Sequence, residues 1–592
     1  QSISLLPILL QLIRQSPKLL DAHYLAQRDD QEVLLVQVGQ LGHRVALPYA
    51  RIRPVLSALS ELYIREALTD HTHLRLPRQE AARLVQMQAA QMQWHGGENI
   101  QALAKSLAQP LLQLCPAPQG LQATLRDYQR EGLTWLQNLL HLGMSGILAD
   151  DMGLGKTLQT LAHILTEKNA QRLTQPVLIV LPTSLIANWQ DEAARFTPQL
   201  QLLCLHGSQR HNLFSQIASA DIVITTYALL SRDSQYLLAQ DWSMVILDEA
   251  QNIKNPRSKA ALCASQLRAQ QRLCLTGTPV ENNLGELWSL FNFLMPGWLG
   301  DQQNFTRHYR TPIEKHADEQ RLAHLNGRLK PFILRRSKQE VASELPSKTE
   351  ITHYVELTSA QRDRYETLRL AMDKKVRAEI QRVGLARSHI AVLEALLRLR
   401  QVCGDLRLLS AADAERYSSQ DSAKLQQLLQ MLHTFIAEGR RVLIFSQFTS
   451  MLALIADELQ AVNIPFVQLT GQTTDRRTPV ERFQAQAVPV FLISLKAGGV
   501  GLNLTAADTV IHFDPWWNPA TEAQASDRAY RIGQTKPVTI YKLIARGSVE
   551  EKIQHLQQHK AALAESILTE GSSTRAALDH ESIEALLAPL EG

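Results

Sequence analysis

Residues 146–165, GILADDMGLGKTLQTLAHIL, reveal the architecture. GILAD is a short apolar run that ends on a carboxylate, and the residues after it read as the start of a helix. Gly153 and Gly155 carry no side chain, so backbone N–H groups can come close to a phosphate. Lys156 can then reach β- and γ-phosphates, and the Thr157 hydroxyl can ligate Mg²⁺. The anion would sit at a helix N-terminus, where the dipole favours it. The pattern GxxxxGK[ST] asks for glycine at position 150, where this chain has Asp150.

Further along the chain the same local pattern recurs. VLIVLP (177–182), DIVITTY (221–227), SMVILDEA (243–250) and RLCLTGTP (272–279) are apolar runs ending in small or polar residues, with helical segments between them. Such runs read as buried parallel strands, and sites in such folds lie at the strand carboxyl ends. The pattern returns in RRVLIFSQ (440–447), VFLISLKAGG (490–499), TVIHFDP (509–515) and VTIYKLIA (538–545). Two α/β units with parallel sheets are therefore expected. Between them, YETLRLAMDKKVRAEIQ (365–381) and VLEALLRLRQVCG (392–404) keep helical spacing. MVILDEAQ ends in two adjacent carboxylates. Asp248 is placed to hold Mg²⁺, directly or through water, and Glu249 to orient and activate an attacking water.

The prelude 1–118 is mixed α+β. EVLLVQVG (32–39) and HRVALPY (43–49) predict a strand pair, 50–68 and 78–93 predict helices, and CPAPQG (115–120) predicts a linker. Apolar residues make up 45% of the 592 and charged residues 20%, an ordinary globular mix. Lys plus Arg number 61 against 57 acidic residues, a net charge of +4, which disfavours only a wholly basic binding protein. The 5 cysteines form no CxxC pair and the histidines form no HExxH cluster, so no zinc is expected. No apolar run reaches the roughly 18 residues of a membrane span. The opening QSISLLPILLQLIRQ lacks a basic lead-in and reads as a helix. The chain begins at Gln1, which is compatible with a segment of a longer protein.

ADDMGLGKT, LDEAQNIKN, LTGTPVENNLGELWSLFNFL, FILRRSK, LIFSQF, LKAGGVGLNL and QASDRAYRIGQ occur in that order. Together they resemble the motifs of the SWI/SNF-type ATPases of helicase superfamily II, over about 121–570. Asp150 fits that family, Gln251 stands where many members have His, and Asp151 where Glu is commoner. The resemblance implies two RecA-like P-loop NTPase lobes at 119–320 and 416–570, a linker with helical protrusions at 321–415 and a tail at 571–592. It implies ATP and Mg²⁺ as cofactors, with Thr157 and Asp248 holding the metal. Gln129 would read adenine, with Arg126 nearby, and Asp151, Gly153, Leu154, Gly155, Lys156 and Thr157 would hold the phosphates. Thr276, Gly277 and Thr278 would couple nucleotide state to DNA contact. Lys156, Asp248 and Glu249 would be catalytic together with Arg528 and Arg531, arginine fingers sharing one helix face. Gly501 and Gln524 would line the cleft.

For DNA the resemblance points to Pro182, Thr183, Ser184, Thr225 and Thr226 in the first unit. In the second it points to Ser446, Gln447, Lys496, Ala497 and Gly498. Small hydroxyls and backbone amides suit contacts to phosphates, which position a protein without reading sequence. Trp516 and Trp517 read as packing residues or as rings that stack on bases, and Arg335, Arg336 and Lys338 as a hinge between lobes or a DNA track. The family implies translocation on double-stranded DNA; a strand-separating helicase is the alternative. Bacterial relatives of this motor occur in anti-phage systems such as Zorya and DISARM. The compact insertions resemble the bacterial type, which implies a cytoplasmic location and, as another alternative, a defence motor with associated DNA degradation. Residues 1–118 resemble the region ahead of the motor in bacterial members, which would regulate the motor, dock a protein partner or pack on the first lobe.

Overall fold

The computed structural model describes residues 114–590 apart from 278–283, 342–345, 384–387, 496–501, 517–518, 532 and 556–583, together with scattered positions between 16 and 56. In that first region β1 (Val33–Val38) and β2 (His43–Pro48) pair antiparallel, as their alternation predicts. The helices expected across 50–68 and 78–93 lie largely outside the described residues.

The first lobe is a seven-stranded sheet. Its strands are β3 (Gly146–Leu148), β4 (Val177–Leu181), β5 (Leu202–Cys204), β6 (Ile222–Thr226), β7 (Asp241–Asp248), β8 (Arg268–Leu275) and β9 (Ile333–Leu334), in the order β5-β6-β4-β7-β8-β3-β9. The second lobe has six strands: β10 (Lys348–Val355), β11 (Val442–Ser446), β12 (Phe466–Leu469), β13 (Val490–Ser494), β14 (Thr509–His512) and β15 (Val538–Ala545). Their order is β10-β15-β14-β11-β13-β12. Every pairing in both sheets is parallel.

Parallel strands covered on both faces must be apolar on both faces, which is why the inner strands read as unbroken apolar runs. In the first lobe Leu178, Val180, Val245 and Leu247 pack on one side, and Val177, Ile179, Met244 and Ile246 on the other. The second lobe repeats this, with Ile444 and Leu492 opposed to Leu443 and Phe491. The helices that matter to the site are α1 (Asp127–His141), α2 (Lys156–Asn169) and α3 (Ile186–Phe196). Two long helices, α4 (Ser359–Val383) and α5 (His389–Gly404), form a hairpin where helical spacing placed them, and α6 (Ala423–Ala437) leads into the second sheet. The chain passes between the sheets through residues 335–347, so the first sheet extends past 320 and the second begins well before 416. Among the described residues no helix is long and apolar enough to cross a membrane.

One polar device anchors α6 to its sheet. Lys424 and Glu550 are both fully buried and 2.5 Å apart, and the same ammonium donates to the Phe513 carbonyl at 2.9 Å. Removing one partner of such a pair strands a buried charge. Lys424→Ala is therefore expected to lower stability by about 3–5 kcal/mol in urea unfolding. The double replacement Lys424→Met, Glu550→Leu should recover most of that loss, and an equal loss in both variants would contradict this account.

Candidate active site

The phosphate loop leaves β3 at its carboxyl end and enters α2 at Gly155, whose φ of 78° is left-handed. Gly153 also has a positive φ, 87°. Neither position has room for a side chain: a Cβ at Gly155 would lie 2.6 Å from Gln129 Nε2, and one at Gly153 would lie 2.8 Å from Arg531 Cγ. Arg531 belongs to the second lobe, so the two sheets face each other across this loop.

Asp150 is fully buried and its carboxylate is gripped by Arg336, Nε to Oδ1 at 2.9 Å and Nη2 to Oδ2 at 2.6 Å. The same guanidinium donates to Gln159 Oε1 at 2.9 Å and to the Tyr128 carbonyl, which ties the loop to α1 and α2. Asp151 accepts from the Lys338 backbone N–H at 3.0 Å and donates its own N–H to the Arg336 carbonyl at 3.0 Å. The pair Arg336 and Lys338, read as a hinge, is thus bonded to both aspartates of the loop. Lys156 Nζ donates to the carbonyl of Asp150 at 2.6 Å and of Asp151 at 3.3 Å. Leu154 is buried, with its carbonyl accepting from Tyr128 and Gln129. Gln129 accepts from the Arg126 backbone N–H at 3.0 Å at the start of α1 while its Nε2 donates to the Leu154 carbonyl, so it braces the loop from behind.

At the end of β7, Asp248 and Glu249 are both buried, and Glu249 sits in left-handed backbone at φ 50°, which turns the second carboxylate away from the strand direction. Burial and the adjacent Glu249 push the Asp248 carboxyl up to about 7, against the Trp189 indole N–H, which donates at 2.8 Å. Glu249 accepts from Gln251 Nε2 at 2.8 Å, and Gln251 accepts from the Thr276 hydroxyl at 3.0 Å. Gln251 thereby joins the base candidate to the TGT segment, of which Thr278 lies outside the described residues. Two adjacent buried carboxylates offer hard oxygen ligands of the kind that fit a magnesium ion, while the Thr157 hydroxyl, in the first turn of α2, bonds Glu192.

From the second lobe come Arg528 and Arg531, which lie in the turns after α7 (Pro519–Ser526) and not on one helix face as their spacing suggested, because the helix ends at Ser526. Arg528 is fully buried, and none of its three guanidinium nitrogens has a hydrogen-bond partner among the described residues. Burial and the neighbouring Arg531 pull it down to about 9, and Glu249 opposes that. Burial likewise lowers Arg531, offset by Asp527, Glu192 and Glu249. Glu192, on α3, is held above the ordinary carboxyl range by burial while Asn188 donates to it at 2.9 Å. Sequence reading missed Glu192 and Trp189. A buried tryptophan must find an acceptor for its N–H, yet nothing in the spacing named Asp248 as that acceptor.

The residues expected at DNA divide. Thr183 is exposed and Ser184 half-buried, in a single turn after β4. Thr225 and Thr226 are buried; the Thr226 hydroxyl caps the next helix by accepting from Leu229 N–H, and the Thr225 hydroxyl has no partner among the described residues. Ser446 donates to Asp514 at 2.5 Å, and Gln447 donates its backbone N–H to the same carboxylate at 3.0 Å. The Gln447 side-chain nitrogen is buried without a partner. Gln524 is half-buried on α7, and Trp516 packs against the second lobe's core. Lys496, Ala497, Gly498, Gly501 and Trp517 lie outside the described residues.

Residues 128–408 match the SNF2-related domain and residues 423–533 the helicase conserved C-terminal domain. The chain is 39% identical over 458 residues to protein YwqA of Bacillus subtilis, which covers 76% of this chain and 49% of that one. It is 34% identical to the ISWI chromatin-remodeling complex ATPase ISW2 of Saccharomyces cerevisiae, covering 78% of this chain and 42% of that one. The chain therefore spans about half the length of these curated relatives, or less. The solved SWI2/SNF2 ATPase core of Sulfolobus solfataricus in complex with dsDNA is 35% identical, covering 80% of this chain and 99% of that one at a TM-score of 0.41. With both domains present in order, the chain belongs to the SNF2-related family.

Proposed function

We propose that the chain hydrolyses ATP to ADP and phosphate between its two lobes and uses the cycle to move along double-stranded DNA. The observation that carries this reading is Arg528, a fully buried guanidinium with no partner for any of its nitrogens, beside Glu249 of the other lobe. A buried charge without partners is costly, and a polyphosphate between the lobes removes the cost. Lys156 and the glycine loop are suited to its β- and γ-phosphates. Held by Thr157 and Asp248, magnesium would neutralise charge on those phosphates. Glu249 would orient the attacking water and take its proton, while Arg528 and Arg531 neutralise the departing charge. The bonds from Glu249 through Gln251 to Thr276 offer a route from nucleotide state to the rest of the lobe.

Duplex DNA is favoured because ISW2 is named for chromatin remodelling, and the DNA of chromatin is a duplex wrapped on protein. Thr183 and Ser184 supply hydroxyl groups at a strand end, the chemistry of phosphate contacts. All five cysteines are free thiols, which suits a reducing, cytoplasmic setting.

ATP hydrolysis should be stimulated by duplex DNA more than by single strands or RNA at matched salt, which must be stated because such binding is strongly salt-dependent. Stimulation by single strands alone would favour a strand-separating helicase. The same incubation with plasmid reports any nicking, the sign of a DNA-degrading defence effector. Glu249→Gln should bind ATP yet lose turnover by roughly 10²–10⁴-fold; normal turnover would remove its role as base. Arg528→Ala should lower kcat by roughly 10³–10⁵-fold while leaving ATP binding measurable. A wild-type rate in that variant would refute the composite site.

A further inference from the structure

Lys338 lies in the segment that joins the lobes and is 4% exposed. Its backbone N–H donates to Asp151 of the phosphate loop at 3.0 Å. Its side chain points the other way, into the second lobe. There Nζ pairs with Asp527 Oδ1 at 2.9 Å, donates to the Tyr530 carbonyl and lies over the Tyr530 ring at 5.0 Å. Asp527 immediately precedes Arg528, and Tyr530 immediately precedes Arg531. One residue therefore touches the loop that cradles phosphate and the backbone that presents both arginines.

We infer that Lys338 is a positioning residue: it sets the arginine pair of the second lobe against the phosphate loop of the first through Asp527 and the Tyr530 carbonyl. This rests on the hydrolytic reading above. Three features support it. The ammonium is buried, so its bonds are shielded from solvent and salt. Its partners are fixed, one a carboxylate and one a main-chain carbonyl. The loop approaches the arginines closely enough that a Cβ on Gly153 would meet the Arg531 side chain. Small misplacement of such groups costs large factors in rate.

The test combines a cycle of variants with a measurement of shape. In DNA-stimulated hydrolysis, Lys338→Met should lower kcat on the order of ten- to a hundredfold, with KM for ATP changed far less. Asp527→Asn should do the same, and the double variant should be no slower than the slower single one. Lys338→Arg, which keeps the charge, should recover part of kcat. Without nucleotide, small-angle X-ray scattering should give Lys338→Met a larger radius of gyration than the wild type. Additive losses in the double variant, or unchanged kcat and unchanged scattering in Lys338→Met, would overturn the inference. If Lys338→Met does not fold, Asp527→Asn carries both measurements. If the wild type hydrolyses no ATP, the functional reading falls, while the scattering comparison still decides whether Lys338 holds the lobes.

Discussion

The Arg336 guanidinium donates to both oxygens of Asp150, to Gln159 and to the Tyr128 carbonyl, all with little exposure to water. Neither charge could be buried alone, because each would lose its hydration without compensation. Together, with the remaining donors satisfied, they fix four pieces of chain: α1, the phosphate loop, α2 and the segment between the lobes. This accounts for aspartate at position 150, where the general phosphate-loop pattern has glycine. The carboxylate is the counter-charge of the hinge. The rest of the cleft depends on it, since Lys156, Thr157 and Asp151 are positioned only as well as the loop that carries them.

Around this fixed point the cleft gathers opposed charges without neutralising them pairwise. Lys156 rests on backbone carbonyls, Asp248 and Glu249 share a buried strand end, and Arg528 has no hydrogen-bond partner. In most protein interiors such groups would have found one another. Here the fold keeps them apart: the carboxylates end β7 in the first lobe and the arginines follow α7 in the second. Trp189 and Gln251 hold the carboxylates from the protein side. The unmet electrostatic demand of each half is directed at the space between the lobes, where perturbed groups commonly mark function.

The sequence revealed the inner strands and concealed the outer ones, for one reason. The nine runs read as parallel strands lie inside the two large sheets, where both faces are covered. The four strands not anticipated are β5, β9, β10 and β12, and these are the four sheet edges. Leu202–Cys204 and Ile333–Leu334 are only partly buried, and Lys348–Val355 is polar and mostly uncovered. An edge strand has less surface to hide and so carries a weaker apolar signal. The site divides similarly. Glycines and charges were legible because few other roles require them in that order. Thr226 and Ser446 were not, because a hydroxyl that caps a helix and one that meets a phosphate look the same in a sequence. Here Thr226 bonds to Leu229 and Ser446 to Asp514. Glu192 and Trp189 lay outside any motif, and only folding brought them to Thr157 and Asp248.

The two cations of the connecting segment differ in kind, and the difference matches their places. Arg336 meets Asp150 through a planar fork whose paired bonds fix direction as well as distance. It is turned wholly toward the first lobe, where the loop must keep its shape. Lys338 reaches the second lobe with a compact ammonium on a flexible stem, which keeps its attraction as the angle changes. Paired bonds with fixed direction therefore hold the connecting segment to the first lobe, and a charge–charge contact with looser angular demands holds it to the second. Were the residues exchanged, the fork would face Asp527 and the point charge would face Asp150, leaving the loop after β3 less firmly oriented. The order arginine then lysine across 336–338 thus places the directional bond on the lobe that carries Asp150 and the more tolerant one on the lobe that carries Arg528 and Arg531.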